Sequence, residues 1–121
     1  MNTLIITKDD IDSEGFYKAH SLDFDGDVEI NENLGVVKFK GFIRASLSIN
    51  AKAGSGIEAG RGIEAGWGIT AGLSIHAKYI LCGLRIFAGT SIYKIPSDSE
   101  MMIFGEIRKG VIAHGIFGGK Q

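Results

Sequence analysis

The hydrophobic positions in the middle of the chain recur at a fixed interval. Residues 57–72 read Ile57-Glu58-Ala59-Gly60-Arg61-Gly62, Ile63-Glu64-Ala65-Gly66-Trp67-Gly68, Ile69-Thr70-Ala71-Gly72, a period of six. Downstream it continues in Ile75-His76-Ala77 and, more loosely, in Leu81-Cys82-Gly83 and Phe87-Ala88-Gly89. Upstream, Ile43-Arg44-Ala45 and Ile49-Asn50-Ala51 keep the same spacing, and a two-residue insertion around Ala53-Gly54 precedes Ile57. On an extended chain Ile and the Ala two places later point to one face, while the residue between them points to the other. Six is not a multiple of 3.6, so the same pattern would scatter the isoleucines around a helix, and the glycines would weaken it further. The pattern therefore predicts a β-solenoid of three-residue strands, with glycine-rich corners between them. Two or three units fit one coil; three, an 18-residue turn, is favoured.

The flanks predict longer strands of the same architecture. Thr3–Thr7 is a candidate first strand, and the polar stretch from Lys8 to Ser13 suits a helical turn before Gly15. Leu22 and Phe24 are separated from Val28 and Ile30 by Asp25-Gly26-Asp27, a turn signal. Val36–Lys40 and Phe42-Ile43 lead into the repeat. After Pro96 and Ser97–Glu100, four short strands are expected around Gly105, Gly110 and Gly115, within Met101–Phe104, Glu106–Arg108, Val111–Ala113 and Ile116-Phe117. The expected organisation is one all-β domain over residues 1–121: an acidic N-terminal cap and first coils to 42, a hexad core over 43–92, and C-terminal strands over 93–121 that cap the solenoid or form an oligomer surface.

Composition narrows the class. Eighteen of 121 residues are glycine, yet 45% are apolar, which argues against disorder, and the absence of a three-residue glycine period excludes collagen. The single Cys82 cannot make an intrachain disulfide, no apolar run approaches a membrane span, and the N-terminus lacks the layout of a signal peptide. A cytoplasmic setting is expected. Residues 1–42 carry nine acids against four lysines, whereas residues 43–121 carry nine basic residues against five acids. Such a split suits solvated faces, head-to-tail association or a charged partner.

Few residues suggest chemistry. His20, His76 and His114 have no metal-ligand spacing. Cys82 falls at the outward position held by Glu58, Glu64, Thr70 and His76, so an outward or partly exposed thiol without a neighbouring base is expected. With three units per coil, Glu58 is expected to stack near His76 and Glu64 near Cys82. Asp23, Asp25, Asp27 and Glu29 alternate around Gly26 but lack the glycine and glutamate spacing of a calcium loop, which leaves an acidic turn or a docking patch. The Gly-x-Gly units have no phosphate-loop context. No catalytic, cofactor or metal residue is assigned, and an enzyme is not expected. Arg61, Trp67 and Leu73 share the corner place of successive units. Trp67 near Arg61, Tyr79 and Arg85 is the expected contact site, because aromatic residues and arginine are enriched where proteins bind one another. A protein partner and a homo-oligomer, with a dimer favoured, follow from that reading; nucleic acid is disfavoured by the pI of 6.3.

The run from Gly62 to Gly72, with Leu73-Ser74-Ile75 and Arg85–Thr90 after it, resembles a group of glycine-rich hexapeptide-repeat β-helix proteins of gut bacteria, their phages and mobile elements. The resemblance spans roughly residues 22–117 and implies a β-helix. An inhibitor of a host defence system, of the anti-CRISPR kind, is the specific role it suggests. More remotely, Phe24-Asp25-Gly26-Asp27-Val28 and the all-strand layout are similar to bactofilins, which implies a polymer-forming scaffold as the alternative. Hexapeptide acyltransferases share the period, but place a small residue two before the aliphatic one, where this chain has Arg61, Trp67 and Leu73. A right-handed coil is therefore favoured over their left-handed one.

Overall fold

The computed structural model describes residues 2–90 and 97–119, so Pro96 and the last two positions of the expected 43–92 core, Ser91 and Ile92, lie outside the described residues. The repeat folds as its pattern dictates. Among the described residues, twelve strands form one continuous parallel sheet that winds into a β-solenoid: β1 (Thr3–Ile6), β2 (Leu22–Phe24), β3 (Asp27–Ile30), β4 (Gly35–Phe39), β5 (Ile43–Ala45), β6 (Ile49–Ala51), β7 (Ser55–Ala59), β8 (Gly62–Ala65), β9 (Ile69–Ala71), β10 (Ile75–Ala88), β11 (Met102–His114) and β12 (Ile116–Gly119). The two longest, β10 and β11, run around corners and contribute to all three sides.

Three units make one coil, which gives the solenoid three faces. The first stacks β2, β5, β8, the middle of β10 and the middle of β11. The second stacks β1, β3, β6, β9 and the ends of β10 and β11. The third stacks β4, β7, the starts of β10 and β11, and β12. Within β5 to β10 every Ile and Ala faces inward and is buried, so that, with Ile103 of β11, Ile43, Ile63 and Ile80, then Ile49, Ile69 and Ile86, then Ile57, Ile75 and Ile103 form three aliphatic ladders. Among the described residues the one buried polar side chain is Ser55, which sits at the insertion and is satisfied there: its Oγ donates to the carbonyl of Asn31 and accepts from the N–H of Leu34.

The stacking of Glu58 on His76 is as expected, but the pattern shifts by one after Ile75. Ile80, five places on, takes the aliphatic position opposite Ile63, so Leu81 lies opposite Glu64 and Cys82 opposite Ala65. Cys82 therefore points into the core, fully buried, rather than outward, and burial pushes its thiol up from the usual value. The same shift puts Ile86 opposite Ile69 and makes Phe87, not Ala88, the outward residue. A shortened corner causes it: the ring of Tyr79 lies directly over Gly62, where an added Cβ would meet the ring at 2.0 Å.

The shortening is part of a taper. On the first face the chain returns to the same place at Leu22, Ile43, Ile63 and Ile80, so the coil loses one position at its second circuit and three more at its third. After the excursion between β10 and β11, the final circuit, from Ile103 to Phe117, is shorter again by another three. That last coil turns its corners on Gly105, Gly110 and Gly115, which have φ of 142°, 112° and 125°, a region that favours glycine.

The two ends are finished differently. At the N-terminal end, a single 3₁₀ turn over Lys8–Asp10 and a short antiparallel bridge between Ile11 and Tyr17 fold across the first coil. Ile11 and Tyr17 pack on the core, and the Tyr17 and Phe39 rings lie 5.2 Å apart. Phe16 bridges to Lys38 and covers part of the edge of β4. At the C-terminal end the last inward positions among the described residues are Ile107, Ile112 and Phe117, and Phe117 is 51% exposed.

Candidate functional site

Three units per coil mean that successive corner residues point in three directions. Arg61, Trp67 and Leu73 consequently lie on three different edges of the prism, and the expected cluster of Trp67 with Arg61, Tyr79 and Arg85 divides. Arg61 and Tyr79 meet at the corner entering the first face, where the Tyr79 N–H reaches the Arg61 carbonyl at 3.3 Å. Trp67 and Arg85 belong to the corner between the first and second faces.

That second corner is an apolar ridge. Leu47, Trp67 and Leu84 stack coil on coil: the Trp67 N–H donates to the Leu47 carbonyl and the Leu84 N–H to the Trp67 carbonyl, both at 2.9 Å. In the last coil Val111 stands at the same corner one place further along, opposite Arg85. Trp67 is 49% exposed, Leu84 62% and Val111 64%, so half of the large apolar side chains that the described residues expose lie on one edge. An open groove of about 490 Å³ runs beside it, lined by Gly68, Gly83, Leu84, Arg85, Phe87 and Val111. The glycines before the ridge residues set its geometry. A Cβ on Gly66 would lie 1.9 Å from the carbonyl oxygen of Ser46, and one on Gly83 2.1 Å from that of Gly66. Only glycine lets the backbones stack this closely, and the close stack turns the next side chain outward.

Family models, curated proteins and solved structures give no match to this chain. What it can do has to follow from its own surface.

The first face beside the ridge carries a charged ladder. Arg44 bridges Asp23 (Nη1 to Oδ2, 3.3 Å) and Glu64 (Nη2 to Oε2, 3.0 Å) across successive coils. The Tyr79 hydroxyl donates to the same Glu64 oxygen at 2.9 Å, and the Arg108 guanidinium lies 4.2 Å above the Tyr79 ring while pairing with Glu106. Burial pushes the Glu64 carboxyl up, but the hydrogen bonds from Arg44 and Tyr79 outweigh it and hold the group below the usual glutamate value. Burial, with the hydrogen bond to Glu64, raises the Tyr79 hydroxyl. Two more acids of the expected patch are engaged in corners: Asp25 accepts from the Ser46 hydroxyl, and Asp27 from the Ser48 hydroxyl and N–H. Hydrogen bonds from Ser48 hold the Asp27 carboxyl down. Among the described residues no three His, Cys, Asp or Glu side chains converge as metal ligands.

Leu84, Phe87 and Val111 are the site residues that hexad reasoning missed. Leu84 and Phe87 were hidden by the one-place shift after Ile75. The charge ladder had a visible signal, because Asp23, Arg44 and Glu64 alternate in sign from one coil to the next at the same place on the face. A depressed carboxyl contributes stability above its unfolded value, and that contribution drains as pH falls through the folded one. Thermal melting followed from about pH 7 to about pH 3 is thus expected to show a shallower acid loss for Glu64→Gln than for the wild type. Identical slopes would mean that the ladder adds no net stability.

Proposed function

We propose that this chain is a non-enzymatic, protein-binding β-solenoid that self-associates and offers the Trp67 ridge to a protein partner in the cytoplasm. The observation that supports the reading is the exposed apolar corner formed by Trp67, Leu84 and Val111, with Arg85 and Phe87 beside them, on a scaffold held rigid by stacked backbone hydrogen bonds. Apolar rows of this kind are uncommon on chains that work alone. Aromatic and arginine side chains on a preordered surface lose little freedom on binding, and so convert contact into affinity efficiently. No helix among the described residues is long and apolar enough to cross a membrane. The resemblance to hexapeptide-repeat proteins of phages gives the specific version of the proposal, an inhibitor that docks on a host defence protein.

Two measurements test it. Sedimentation of the wild type is expected to give a dimer. A tagged bait is expected to retain a host protein that the Trp67→Ala/Leu84→Glu bait releases, with a loss of roughly thirty-fold or more in affinity once the captured protein is purified. A monomer at all concentrations, or equal retention by both baits, would sink the corresponding half of the proposal.

A further inference from the structure

We infer that the narrow C-terminal end of the solenoid is the self-association surface, and that a second copy docks on it tip to tip about a two-fold axis. The inference rests on the self-association proposed above and specifies where and with what symmetry it occurs. Phe117 stands in register with Ile57, Ile75 and Ile103, three buried core positions, yet no coil among the described residues covers it. Ile107 and Ile112 hold the equivalent last inward places on the other two faces and are only partly buried. Beside them Ile116 is 37% exposed and Val111 64%. The opposite end of the molecule has its cover built in, through Ile11 and Tyr17.

The identity of the occupant follows from size and edge geometry. A neighbour adding head to tail would present its N-terminal end, where the circuit from Leu22 to Ile43 is wide and the cap of residues 8–17 lies in the way, against the narrowest circuit, Ile103 to Phe117. The tip strands are also poor templates for a further parallel coil. Each of the three faces has one register slip in the last coil, leaving Arg108, Ala113 and Gly118 as extra residues in the ladder. Such bulges twist an edge away from further pairing. The surface that matches the tip in perimeter and in apolar character is another tip. A two-fold axis brings the two together in a closed contact, with side-chain packing of Ile112, Ile116 and Phe117 in place of continued strand pairing.

Analytical ultracentrifugation of the full chain over a concentration series, with hydrogen exchange to monitor folding, tests this. The wild type is expected to be a dimer that stops at two, and Phe117→Glu to weaken it by roughly thirty-fold or more. Phe117→Leu is expected to restore it, and Trp67→Ala to leave it unchanged. If Phe117→Glu loses protection throughout the core, Ile116→Glu, at a position more remote from the core, takes its place. A wild-type monomer would overturn self-association itself. A dimer that both tip variants leave intact would overturn only the tip as its site. Oligomers that grow without limit would overturn the two-fold closure.

Discussion

Replacing Ile69 with alanine is expected to cost about 2–5 kcal/mol of stability and to lower Tm by roughly 8–20 °C. Ile69 is fully buried between Ile49 below and Ile86 above, so its removal leaves a gap that neighbours on a rigid ladder cannot close. In a globular core such a loss is shared among many contacts. In a solenoid each coil touches only the next, and stability is close to a sum over neighbours. The defect is therefore expected to appear in hydrogen exchange as local opening of the coils that hold Ile69 and Ile86, before global unfolding. Thr70→Ala, on the outward side of the same strand, is expected to change stability by no more than about 0.5 kcal/mol. Equal effects at the two positions would contradict the inward and outward assignment of the second face.

The second large effect is expected at a corner. Gly66→Ala adds a Cβ that would sit 1.9 Å from the Ser46 carbonyl oxygen, and the obstacle is backbone that is itself hydrogen-bonded into the stack. Nothing flexible is available to move aside, so the cost is expected to reach the upper part of the overpacking range, about 3 kcal/mol or more. Gly68, on the other side of Trp67, is the control: its nearest neighbour would be the Arg85 carbonyl at 3.2 Å, and Gly68→Ala is expected to be much milder. Thermal denaturation of the two variants separates these expectations directly. If both alanines were tolerated, the close coil stacking at the ridge would be wrong.

Much of the architecture was legible from Ile57, Ile63, Ile69 and Ile75, because a core built from one residue type at one spacing leaves its period in the chain. The three-unit coil was legible too, since Glu58 does lie opposite His76. What escaped was the change of circumference. From Ile75 to Ile80 the interval falls to five, and a reading that held to six turned Cys82 outward. Ile80 and Ile86 did keep an interval of six, one position earlier than Leu81 and Phe87, so the signal was present but outvoted by the preceding rhythm. The site was less legible because corner residues equivalent in sequence diverge in space: Arg61 and Trp67 are six apart along the chain and on different edges of the prism. The N-terminal cover was invisible to periodicity, since residues 7–20 have no repeat and are held by contacts that do not recur along the chain, such as Tyr17 on Phe39 and the backbone hydrogen bonds of Gly15 and Tyr17 with Lys38.

The difference between the two ends gives the middle a separate freedom. Cap and tip each fit one size of coil, whereas the circuits from Val28 to Ile49 and from Ile49 to Ile69 differ by a single position. A complete coil inserted there meets the same ladder above and below it. Each such insertion would lengthen the molecule by one strand spacing, about 4.8 Å, and add one side chain to the ridge without disturbing either terminus. The protein is in that sense a ruler with fixed ends, and duplication of a single coil is the change in length that its fold most readily accepts.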